Sequence, residues 1–80
     1  MTINDAVAYR IIKLLNEKHI TQYRLEKIST IPHGAMHRIL TGKNKTITMT
    51  TFFKIASAFD MTIQDFMNDK IFLLHNLEID

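Results

Sequence analysis

Apolar residues recur along most of this chain at intervals of three and four, the spacing of one face of an α-helix. Val7, Ile11, Leu14 and Leu15 form a first stripe. It predicts a helix from about Asn4 to Lys18, capped by Thr2 or Asn4, with Asp5 complementing the positive end of the helix dipole. Ile12 widens the stripe, and Arg10, Lys13, Glu17 and Lys18 are expected outside it. His19 falls where a chain leaving a helix takes positive φ, which histidine tolerates better than most side chains. Ile20 anchors the turn that follows.

Residues 21–41 read as two short helices joined by a tight turn. Thr21 suits an N-cap, since its hydroxyl can accept from an orphan N–H of the first turn. Leu25 and Ile28, three apart, share a face. Ser29 and Thr30 weaken the helix, while Pro32, with no N–H, suits the first turn of the next and biases Ile31 toward an extended conformation. One helix should therefore stop near Thr30 and another run from Pro32 to Thr41. In the second, Met36, Ile39 and Leu40 bury together, leaving Gly34, Arg38 and Thr41 opposite, with His33 and His37 on the flank. Gly42 can take the positive φ that ends it.

Farther on, Thr48 is the expected cap of a fourth helix, Met49 to Phe59, with Phe52, Ile55, Ala56 and Phe59 on its core face. Met49 and Phe53 are apolar too, so more than one side of this helix is expected to be covered. Asp60-Met61 makes a turn, and Thr62 with Asp65 resembles a capping box for a fifth helix whose Ile63, Phe66 and Met67 pack inward. Residues 70–80 form an apolar tail. A continued helix would align Ile63, Met67, Ile71 and Leu74; a strand or a folded-back arm is equally compatible. Its run of four apolar residues needs cover, from a second copy or from the chain's own core, and the first of these makes Ile71, Phe72, Leu74 and Leu77 candidates for dimerisation.

At 80 residues the chain makes one domain, 46% apolar and 22% charged, and folds without help from disulfides because it has no cysteine. Neither a secretory leader nor a membrane-spanning run is evident, so a soluble cytoplasmic protein is expected. The net charge of +2 is unevenly spread: residues 1–45 hold eight Lys and Arg against three Asp and Glu, the remainder two against five. The basic half contains the helical pair at 21–41, as contact with nucleic-acid phosphates would require.

Residues 6–68 resemble the Cro/repressor-type, XRE-like helix-turn-helix family of bacterial and phage regulators. The landmarks are Gln22, Leu25, the Ser29-Thr30-Ile31-Pro32 turn, Met36, Ile39, Leu40, Gly42-Lys43, Lys54-Ile55-Ala56 and Phe59. Glu26 and Thr30 are bulkier than the small residue and the glycine usual at these places; Glu26 could turn its carboxylate to solvent or pair with a basic neighbour, and Thr30 has to accept the backbone the turn requires. The resemblance implies an all-α fold, a compact bundle of about five helices of the lambda-repressor-like DNA-binding type over residues 1–69, with the helix-turn-helix at 21–41. It further implies sequence-specific binding of double-stranded DNA as a homodimer, by a transcriptional regulator expected to be a repressor, with residues 32–41 in the major groove.

Arg38 is the first choice for reading bases, since a guanidinium can donate twice to guanine. His33 matches the family's first reading position and Gly34 its second; Gly34 lets the backbone sit deep, Ala35 could touch a thymine methyl, and His37 a base edge or a phosphate. Gln22, at a helix start, is placed to bind phosphate, with Tyr23, Thr41, Lys43, Asn44 and Lys45 completing the backbone contacts.

Other functions fit less well. His33 and His37 have the i, i+4 spacing of a zinc-binding pair but lack further ligands, so no metal or cofactor is expected. No nucleophile–base pattern or glycine-rich phosphate loop suggests an enzyme. The strongest rival keeps the fold and changes the partner: a protein-interaction module or antitoxin-like adaptor, or a regulator controlled by another protein.

Overall fold

The computed structural model describes residues 1–44, 46–73 and 76–77. Five α-helices follow one another: α1 (Ile3–Lys18), α2 (Gln22–Ser29), α3 (His33–Leu40), α4 (Met49–Ala58) and α5 (Ile63–Met67), then a 3-10 turn at Lys70–Phe72. The all-α expectation holds. α3 packs on α1, α2 on α4, and α5 on α4, around a core of Val7, Ile11, Leu14, Leu25, Ile31, Met36, Ile39, Ile55, Ala56, Phe59 and Phe66.

Each helix starts at a residue with a structural reason to be there. The hydroxyls of Thr2, Thr21, Thr48 and Thr62 accept from the backbone N–H three residues on, and Asp5 closes a reciprocal capping box with Thr2. Pro32 is the exception. It stands just before α3 with extended dihedrals and offers no side-chain cap, so it precedes the helix instead of opening it. Exits use the left-handed conformation at His19, Thr30, Gly42 and Asp60. After α3 the Gly42 N–H donates to Ile39 O and the Lys43 N–H to Arg38 O, a Schellman arrangement that uses the last carbonyls of the helix.

Several expectations from periodicity need correction. Ile12 and Ile28 are exposed, because the core face of α1 is spent on Val7, Ile11 and Leu14, and that of α2 on Leu25 and the small Ser29. On α4, Met49 is 62% and Phe53 58% exposed, so that helix is covered on one side only. Met67 is exposed as the last residue of α5, which Asn68 caps, so the helix does not continue to Ile71. The chain instead doubles back through the 3-10 turn. Phe72 packs on the core beside Phe66, and Ile71 and Leu77 are half-buried within the single chain; Leu74 lies outside the described residues.

Arg10 is the largest departure. Expected outside, it is 7% exposed, with Nε donating to Phe66 O at 2.8 Å and a terminal nitrogen to Asp65 O at 3.0 Å. Its guanidinium thus satisfies the Phe66 carbonyl at the end of α5 and shares that of Asp65 with the Asn68 N–H. The second terminal nitrogen is 3.5 Å from Asp69, which also accepts from Lys13 at 2.9 Å. A cation on the first helix is what fixes the chain's return after α5.

Candidate nucleic-acid interface

The exposed surface of α3 follows from which of its residues the core takes. Met36 and Ile39 are buried, and Leu40 and Ala35 pack partly against the same core. A helix of 3.6 residues per turn then turns His33, Gly34, His37, Arg38 and Thr41 together to the outside, and all five are exposed. Four of the five expected base readers share this face. Ala35 does not: its methyl lies on the core side, which leaves little of it for a thymine.

Arg38 and Gly34 are neighbours one turn apart. A Cβ built on Gly34 would stand 3.8 Å from an Arg38 terminal nitrogen, an ordinary contact, so the guanidinium lies back along the helix over the glycine. The imidazoles of His33 and His37 stack with centroids 6.2 Å apart. No group of three His, Cys, Asp or Glu side chains able to hold a metal occurs among the described residues. The Thr41 hydroxyl donates back to His37 O at 2.8 Å, which fixes its position on the last turn.

The turn between α2 and α3 is held by side chains. Ile31 N–H donates to the buried Ser29 hydroxyl at 3.3 Å, and Thr30, at φ 61°, donates its own hydroxyl to Ser29 O at 2.6 Å. Thr30 thus adopts the conformation for which glycine is usual. Glu26 links the two helices: Gln22 Nε2 donates to its Oε2 at 2.9 Å, and His33 Nδ1 lies 2.9 Å from the same oxygen. The Gln22 bond and then that of His33 hold Glu26 below the usual carboxylate range, against the opposing effect of burial. Gln22 and His33 stand out in the sequence as site residues, and pairing with a basic neighbour is one of the two courses open to Glu26; Gln22 lies one turn before it on α2, whereas its meeting with His33 depends on the angle between the helices.

Around this centre, Tyr23 is 68% exposed, with the Lys27 ammonium 5.2 Å from its ring centroid. Beyond α3, Lys43 is exposed, while Asn44 is half-buried and its carbonyl accepts from the Asn4 amide, tying the loop to the start of α1. Gly42 sits against Asp5 there; a Cβ at 42 would come within 2.7 Å of the carboxylate, and φ is already +71°. Lys45 lies outside the described residues.

A second exposed feature lies on α2 and α4, where Ile28, Ser29, Thr50, Phe53, Lys54, Ser57 and Ala58 line a shallow groove. No helix among the described residues is long and apolar enough to cross a membrane. The family model of the Cro/C1-type HTH DNA-binding domain matches residues 10–70. Comparison with curated proteins and with solved structures finds no match.

Proposed function

Because the chain belongs to the Cro/C1-type helix-turn-helix family of DNA-binding domains, we propose that it is a sequence-specific repressor that sets α3 in the major groove of duplex DNA. The observation that carries this reading is the outer face of α3, where His33, Gly34, His37 and Arg38 stand clear of a helix clamped to the core by Met36 and Ile39. Arg38 reads a base edge, Gly34 admits the backbone, and His33 and His37 contact base edges or phosphates. Gln22, Tyr23, Thr41, Lys43, Asn44 and Lys45 grip the flanking strands. A homodimer on a near-palindromic operator would place two copies of α3 about 34 Å apart along one DNA face.

Binding to fragments selected from a random duplex pool, measured across a range of salt, tests the reading. Affinity falls steeply as salt rises; Arg38→Ala costs about 1–3 kcal/mol at one operator position and relaxes the preference there. Lys43→Ala weakens all sequences alike and lowers the salt slope by about one. If neither substitution alters retention on DNA, the proposal fails. One observation favours a second reading, an interaction module or antitoxin-like adaptor: the groove beside Ile28 and Phe53 is an apolar surface left bare on the single chain. In that case Phe53→Ser, and not Arg38→Ala, abolishes function.

A further inference from the structure

Glu26 stands between two side chains assigned above to DNA. Its own side chain is 10% exposed, against 75% for the imidazole it holds. An ionised carboxylate has lone pairs and no proton, so the proton shared with His33 at 2.9 Å belongs to Nδ1. In a neutral imidazole one nitrogen donates and the other accepts. Nε2 is then the acceptor, and it has no hydrogen-bond partner among the described residues. The other titratable side chains around the ring are Tyr23 and Lys27, in the same shallow cleft, and His37, stacked one turn along.

We propose that Glu26 is a positioning residue that fixes the tautomer of His33, so that the first reading position of α3 presents an acceptor and selects a base edge that donates, the amino group of cytosine or adenine. The inference rests on the DNA-reading function proposed above. In the major groove the N4 amino group of cytosine and the N6 amino group of adenine donate, whereas guanine O6 and thymine O4 accept. A lone pair on Nε2 meets the first pair favourably and opposes the second. The imidazole thereby sorts bases as amino against keto, where an arginine, which only donates, favours the acceptors and a freely tautomerising histidine takes either. The same carboxylate also holds Gln22, so a phosphate contact and a base contact share one anchor.

The test compares the wild-type chain with Glu26→Gln and His33→Ala in selection from a randomised duplex pool at pH 8, beside nitrogen-15 spectra of the imidazoles. The wild type favours cytosine or adenine at one operator position by about three- to tenfold, the worth of a single hydrogen bond, and His33→Ala removes that preference. Glu26→Gln, whose amide can donate as well as accept, levels the same position and leaves the one read by Arg38 intact. In the spectra of the wild type, His33 carries its proton on Nδ1; in Glu26→Gln the Nε2–H form gains. An unmoved preference in Glu26→Gln, or a wild-type ring protonated on Nε2, overturns the positioning role while leaving DNA reading in place. A wild-type chain that selects no fragments overturns both.

Discussion

Thr30 holds a β-branched side chain at φ 61°, where the side chain crowds the following carbonyl at a cost of about 1–2 kcal/mol. His19 and Asp60 take the same conformation, but both belong to types that tolerate it better. Thr30→Gly relieves the crowding while adding freedom to the unfolded chain, and the expected net gain is about 1 kcal/mol in urea unfolding with an unchanged slope. A loss instead would mean that the hydroxyl bond to Ser29 outweighs the strain. Arg10 presents the reverse case, a residue whose removal should be costly. Arg10→Met keeps the bulk but takes from the Phe66 carbonyl its buried donor, from Asp65 O one of its two and from Asp69 a cation, for an expected loss of about 3 kcal/mol, readable in the same titration. The left-handed exit at His19 could be read ahead, because an apolar stripe stops just before it. The burial of Arg10 could not: periodicity weighs a residue against its own helix, and the carbonyls that draw this one inward lie 55 and 56 positions away.

Among the elements, local rules located the helices well and their environments less well. Threonine caps and a proline placed the starts of α2, α3 and α4 within a residue, since each signal acts within one turn. Which apolar residues are covered depends on how many neighbours a helix has, and so periodicity points Ile12, Met49, Phe53 and Met67 inward, and Ile28 to the face of Leu25, while the structure leaves all five outside. The return after α5 is an electrostatic junction as well as an apolar one. Asp69 is held below the usual carboxylate range by the Ile71 N–H and then by Lys13, and Lys13 is raised by its bond to Asp69. A carboxyl whose value is lower folded than unfolded stabilises the fold above its unfolded value of about 4 and loses that contribution as pH falls through the folded one. Lys13 works in the opposite sense. Its contribution is complete below the unfolded lysine value of about 10.4 and disappears as pH rises through the folded one. Thermal melting should therefore show a fall on each side, with the acid limb flattened in Asp69→Asn; an unchanged acid limb would mean that the junction adds nothing to stability.

Across the whole molecule, two exposed regions compete as the place where a partner is met, the outer face of α3 and the groove along α2 and α4. The basic half of the chain is less free than its composition suggests, because Arg10 and Lys13 are engaged with Asp69. Lys27, Arg38 and Lys43 remain on the surface around α2 and α3, while Ile28, Met49 and Phe53 lie on α2 and α4. The face of α3 was legible because a core stripe on a helix fixes its opposite side; that Glu26 could pair with a basic neighbour was legible too, but not that the neighbour is His33, which needs two helices at a given angle. Titrating the labelled protein with a selected operator duplex, and following backbone and side-chain resonances, decides between the two regions. Shifts are expected to concentrate at Gln22, His33, Gly34, His37, Arg38 and Lys43; shifts confined to Ile28, Phe53 and Ser57 with α3 unmoved would rule out reading of DNA by α3.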